Sequence, residues 1–124
     1  MEKLIYKEEV YKIIGICMEV HNILGKGHSE VVYKDALEYE FQKAGIEYSR
    51  EKQYKIKYKE IILRHHYNAD FVVSQKIILE IKAIECLTDS HIKLTLNYLA
   101  VSKLKLGLLV NFGEDSLTYK RMVL

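Results

Sequence analysis

The sequence predicts an α/β domain with a central mixed sheet flanked by helices. Three observations carry that reading. Two amphipathic helical segments, each closed by a glycine, fill the first 45 residues. Alternating or wholly apolar strand segments follow, as far as about residue 84. A further helical segment then leads into two short strands. The element order read from the chain is α-α-β-β-β-β-α-β-β, in a single domain over residues 1–124.

The first helix is expected over Tyr6–Leu24, where Val10, Ile13, Ile14, Cys17, Val20 and Leu24 form a 3.6-period stripe and Gly25 follows as C′ residue. Gly25 and Gly27 break the chain, Ser29 is the expected N-cap, and Glu30 opens the second helix. Its stripe is Tyr33, Ala36, Leu37, Phe41 and Ala44, ended by Gly45. Tyr33 is read as core. His21 and His28 flank the glycine turn as packing or capping groups, with His28 kept as a candidate substrate contact.

Residues 46–67 read as two strands. In Gln53–Lys59 the even positions Tyr54, Ile56 and Tyr58 are expected to face inward and Lys55, Lys57 and Lys59 outward. That lysine row suits a phosphate backbone, making Lys55 and Lys57 candidate substrate contacts; it equally suits an edge strand kept from further pairing by charge. His65 and His66 are adjacent and so point to opposite faces.

The stretch Ala69–Ile84 carries the chemistry. Phe71–Val73 and Ile77–Ile81 flank the turn-like Ser74-Gln75-Lys76, the pattern of a hairpin with a three-residue loop. Centring that loop on Gln75 sets Asp70 directly opposite Glu80, with Lys82 two residues further along the same face. Phe71, Val73, Ile77, Leu79 and Ile81 form a continuous apolar surface on the other face. Opposed like charges destabilise a sheet. A divalent cation removes that penalty, since Mg²⁺ is held by one or two carboxylates plus water and phosphate oxygens. A solvated polar face on a half-buried hairpin is the plainer alternative.

After the hairpin, Asp89 or Ser90 is expected to cap a helix reaching about Lys105. Ile92, Leu94, Leu96, Tyr98, Leu99, Val101 and Leu104 cover much of its circumference, as on a helix buried on more than one side or paired with a partner. The 90–105 helix is therefore a candidate surface for a homo-oligomer or partner protein. Leu106–Phe112 and Leu117–Leu124 complete the sheet around the turn Gly113–Ser116.

Composition limits the alternatives. A 49% hydrophobic and 29% charged chain is that of an ordinary globular protein. No apolar run approaches the roughly 20 residues of a membrane span. The start, M-E-K-L-I-Y-K-E-E-V, reads as a charged helix rather than a signal peptide, so a cytoplasmic location is expected. The formal net charge of +2 neither demands nor excludes nucleic acid. Two cysteines make no disulfide framework. Cys17, His21, Cys86 and His91 are the only basis for a zinc-stabilised interaction domain.

The spacing D-x9-E-x-K on adjacent strands resembles the core of the PD-(D/E)xK phosphodiesterase superfamily. Gly27, Glu30 and Tyr33 match the G-x-x-E-x-x-Y signature of its GxxExxY branch. Val20–Gly27, Ala36-Leu37, Tyr67–Val73, Leu79–Ala83, Asn97–Leu99 and Gly107–Gly113 also resemble that branch, so ordered matches run along nearly the whole chain. The resemblance implies a PD-(D/E)xK nuclease-like fold and metal-dependent hydrolysis of DNA or RNA. Asp70, Glu80, the Ile81 carbonyl and Glu30 would hold Mg²⁺ or Mn²⁺, and Lys82 would orient the attacking water and stabilise the transition state. Tyr98 occupies the tyrosine of the Q-x-x-x-Y helix motif found in exonuclease-like branches, a further candidate substrate contact. Leu94 stands where the glutamine is expected. That departure leaves an alternative, a catalytically weak or inactive nuclease-fold module that binds nucleic acid or assembles with protein.

Overall fold

The structure, a computed structural model, describes residues 5–124. The elements are α1 (Lys7–Leu24), α2 (Glu30–Ala44), β1 (Tyr48–Tyr58), β2 (Ile61–Val73), β3 (Ile77–Lys82), α3 (Asp89–Ser102), β4 (Leu106–Asn111) and β5 (Thr118–Val123). The strands form one sheet in the order β1-β2-β3-β4-β5. Only β3 and β4 pair in parallel, with α3 as the crossover between them, so the sheet is mixed.

Two apolar layers hold the sheet between helices. On one side Ile13, Ile14, Cys17 and Val20 of α1 and Tyr33, Leu37 and Phe41 of α2 pack on Phe71, Val73, Ile77, Leu79 and Ile81. On the other, Leu99 of α3 covers Tyr67, Ala69, Val72, Ile78, Leu109 and Met122. β3 and β4 are covered on both faces. Their near-continuous apolar runs, I-I-L-E-I-K and L-G-L-L-V-N, follow from that position. Of the helix stripes read from the sequence, Ile13, Ile14, Cys17 and Val20 of α1 and Tyr33, Leu37 and Phe41 of α2 are buried; Val10, Leu24 and Ala36 are half-buried, and Ala44, expected in the core, is exposed at the end of α2.

Four local expectations need correction. Three strands, not four, separate α2 from α3, because β2 runs unbroken from Ile61 to Val73 and Asn68 pairs with Gln53 without a turn. Tyr58 is exposed, since the end of the β1–β2 hairpin extends past the other strands. The cap of α3 is Thr88 rather than Asp89 or Ser90: its side chain and that of His91 exchange hydrogen bonds with each other's backbone. That helix stops at Ser102, short of Lys105, with Lys103 left-handed at φ 62°.

Sequence period fails at one more place, and there it matters. Tyr67, Ala69, Phe71 and Val73 are two apart and all buried, yet they serve different cores. Tyr67 and Ala69 face α3, whereas Phe71 and Val73 face α1 and α2. The switch falls between them, at Asp70. Opposite it on β1, Glu51 has φ 54°, and the regular ladder steps from Arg50↔Phe71 to Lys52↔Ala69. The β2–β3 ladder runs Val73↔Ile77, Val72↔Ile78 and Phe71↔Leu79, and stops one step before Asp70.

Candidate metal and phosphodiester site

The register of β2 on β3 is the one centred on Gln75, with Ser74 and Gln75 left-handed in the loop. Carried one step past its last ladder pair, it brings Asp70 to Glu80. The two carboxylates replace the missing ladder bonds. The Asp70 N–H donates to Glu80 Oε2 at 2.8 Å, and the Ile81 N–H donates to Asp70 Oδ2 at 2.8 Å. Each acid thus accepts from the other strand's backbone, which clamps both side chains at the carboxyl end of β3.

Glu80 is only 6% exposed. Burial, then the neighbouring charge of Asp70, pushes its carboxyl up to about 8; hydrogen bonding and the Lys82 ammonium oppose the rise. The surroundings therefore favour one negative charge on the pair over two. Lys34 of α2 offsets part of that charge, donating to Asp70 Oδ1 at 3.1 Å and to Glu51. Burial alone would lower the Lys34 ammonium, but these two partners raise it above its ordinary range.

Aromatic rings wall the α3 side. Tyr67 stacks on Tyr98 with ring centroids 3.5 Å apart and on Tyr54 at 5.8 Å. The Tyr67 hydroxyl is buried beside Glu80 yet meets no partner in hydrogen-bonding geometry. Burial, reinforced by the charges of Glu80 and Asp70, raises both tyrosine hydroxyls, which stay protonated at neutral pH. An orphaned buried donor is costly unless something else occupies the site.

The other candidate residues are placed as follows. Lys82 is half-buried, two residues beyond Glu80 on β3, and its charge acts on Glu80. Its carbonyl accepts from the Phe112 N–H at 2.8 Å. Glu30 opens α2 one turn before Lys34, but no hydrogen bond or ion pair joins it to Asp70 or Glu80 among the described residues. Tyr33 is core: its ring stacks on Phe112, and its hydroxyl donates to the Gly25 carbonyl at 2.6 Å and accepts from the His28 N–H. Gly27, at φ 107°, shapes the loop that Tyr33 ties down. His28 is exposed, with its ring edge-on to Tyr33. Lys55 and Lys57 are exposed on the hairpin beyond the site. Leu94, one turn before Tyr98, is 43% exposed.

Sequence reasoning missed Lys34, Glu51 and Tyr67. Lys34 had a signal, because it lies four residues after Glu30 and so shares its helix face. Tyr67 sits within the Y-x-A-D stretch. Glu51 had none; only the local twist of β1 brings it to Lys34. The four Cys and His residues are not assembled. Cys17 is buried on the inner face of α1, His21 Nε2 pairs with the Glu114 carbonyl oxygen, His91 caps α3, and Cys86 is exposed.

The donor set fits a hard divalent cation. Two carboxylates are what Mg²⁺ takes from protein when water and phosphate supply the remaining oxygens. A cation would also offset the Asp70 charge and stabilise ionised Glu80 against the cost of its burial. Among the described residues, no group of three His, Cys, Asp or Glu side chains forms a ligand cluster, so the site provides two acids rather than a closed cage.

The sequence profile of the PD-(D/E)XK nuclease superfamily matches residues 7–122, and the chain belongs to that superfamily. The five-stranded mixed sheet and its three helices are consistent with its fold. No curated protein and no solved structure matches the chain. None of the helices is long and apolar enough to cross a membrane among the described residues.

Proposed function

We propose that this protein is a nuclease of the GxxExxY branch that hydrolyses nucleic-acid phosphodiester bonds with Mg²⁺ or Mn²⁺. Asp70, Glu80 and the Ile81 carbonyl would hold the cation, with Glu30 approaching from the start of α2. When bound, the cation supplies a water of lowered pKa and neutralises charge on the scissile phosphate. The chain's own groups do the rest. Asp70 and Glu80 are held by backbone N–H groups and need little rearrangement. Lys82 places a fixed positive charge where the phosphoryl oxygens gain negative charge and orients the attacking water. The protonated Tyr98 hydroxyl is a donor available to a phosphate oxygen or a water on the α3 side, with the buried Tyr67 ring stacked against the Tyr98 ring.

The observation that carries this reading is the carboxylate pair itself, forced together by strand register with Glu80 pushed to about 8. Strongly perturbed groups of this kind concentrate at functional sites. Two observations favour the alternative of a nuclease-fold module that binds or assembles without cleaving. Lys34 already occupies Asp70 Oδ1, and Leu94 replaces the glutamine of the exonuclease-like pattern on α3.

The test is cleavage of mixed DNA and RNA, single- and double-stranded, in Mg²⁺, Mn²⁺ or EDTA by wild type and Asp70→Ala. Divalent-dependent cleavage that Asp70→Ala abolishes is the expected result. No cleavage of any substrate leaves the binding-module reading.

A further inference from the structure

The β1–β2 hairpin outruns the rest of the sheet. Residues 61–66 of β2 are exposed without exception, as are residues 57–60 across the tip. β3 pairs with β2 only over Phe71–Val73. Beyond the Lys55↔His66 pair the ribbon loses register, with Leu63, Arg64 and His65 facing Ile56 alone before Lys57↔Ile62 and Tyr58↔Ile61 resume the ladder. Such a bulge bends and further twists a ribbon.

Charge and apolar area both concentrate here. Within residues 52–66, Lys52, Lys55, Lys57, Lys59 and Arg64 stand against a single acid, Glu60, in a chain whose whole formal net charge is +2. None of these five cations forms an ion pair among the described residues. Lysines alone would be accounted for as protection of an edge strand. Tyr58, Ile61, Ile62 and Leu63 would not: they lie at the tip between 38% and 56% exposed, where protection from pairing calls for none of them.

We propose that this ribbon is an arm for double-stranded DNA, entering the major groove with its apolar tip while its lysines reach the flanking phosphates. The B-form major groove, about 12 Å wide, admits a two-stranded ribbon. The deep, narrow major groove of A-form RNA does not, and a single strand offers no groove. The arm is continuous with the carboxylate site through β2. Measured on β1, which carries no extra residue across the bulge, seven steps lead from Glu51 beside Asp70 to Tyr58 opposite Ile61, about 23 Å at the usual strand rise, or about seven base pairs of duplex. The footprint is therefore about two thirds of a helical turn measured from the carboxylates. The direction of that footprint rests on the nuclease reading; the arm's preference for duplex does not.

The experiment is fluorescence anisotropy in EDTA, titrating the full chain into two helical turns of labelled duplex DNA, the matching single strand and duplex RNA over a salt series. Wild type should prefer duplex DNA by roughly tenfold or more. Lys55→Gln/Lys57→Gln/Lys59→Gln should lower the slope of log K against log salt by about 3, and Ile61→Ser/Ile62→Ser should weaken duplex binding. An unchanged slope in the lysine variant overturns the arm, as does equal affinity for single strand and duplex. So does a wild-type dimer that Ile61→Ser/Ile62→Ser splits while duplex binding persists, which would make the tip a protein interface. Duplex binding through the arm without cleavage in Mn²⁺ keeps the arm and removes the nuclease; cleavage with an unchanged slope does the reverse.

Discussion

Replacing Glu80 by glutamine should remove most of the pH dependence of stability in the metal-free protein. The Glu80 carboxyl moves from an ordinary 4.5 to about 8 on folding, because it is buried beside Asp70. The folded chain then binds this proton more tightly than the unfolded chain. Its contribution to stability is full below pH 4.5 and is lost as pH rises through 8. At about 1.4 kcal/mol per pKa unit the ceiling is about 5 kcal/mol, and local relaxation around the pair brings the expected loss nearer 3 kcal/mol. For a chain of this size that corresponds to a fall in Tm of roughly 10 °C between pH 5 and pH 9. Glutamine keeps an oxygen for the Asp70 N–H and never ionises. Glu80→Gln in EDTA should therefore be nearly flat over this window and more stable than wild type at pH 8.5. Excess Mn²⁺ should raise wild type most at high pH, by about 2.7 kcal/mol at a hundredfold excess over Kd, and the variant far less. The measurement is a set of thermal melts from pH 5 to 9 for both proteins, in EDTA and in Mn²⁺. Parallel EDTA curves would show that Glu80 is not held against Asp70, and the metal site would fall with it.

Lys82→Met should lower turnover by about 10²–10³ while leaving Mn²⁺ binding intact, read by single-turnover cleavage beside calorimetric titration; undiminished cleavage removes Lys82 from the mechanism. Lys34→Gln removes the ammonium that shares Asp70 with any cation, so Mn²⁺ should bind several-fold tighter while the EDTA form loses about 1–3 kcal/mol. Weaker Mn²⁺ binding in that variant would show that Lys34 organises the site rather than competes for it. Gly113→Ala sets a methyl group against the backbone of Ala83 and Ile84, just past Lys82, where no flexible side chain can yield. A loss of about 3 kcal/mol or more is expected in denaturant melts, and a cost below about 0.5 kcal/mol would contradict this packing.

The sequence by itself determined those features that depend on local period and short-range pairing. The stripes of α1 and α2, their glycine ends, and the hairpin register that sets Asp70 against Glu80 all follow from spacing within a few turns or one loop. The superfamily was legible for a related reason, since ordered motifs along the chain constrain one another. Tertiary structure decided what period cannot express. The face switch at Asp70 divides four evenly spaced buried residues between two cores, and it lets the two carboxylates take backbone donors that a regular ladder would have used. Lys34 and Glu51 lie 17 residues apart and meet across a helix and a strand. Tyr67, buried beside Glu80, stacks on Tyr98 of α3, a contact between residues 31 apart in the chain. Bond geometry and local propensity fix a strand's alternation. Which side of the sheet a kinked strand presents, and which distant charges gather there, depends on the elements packed against it.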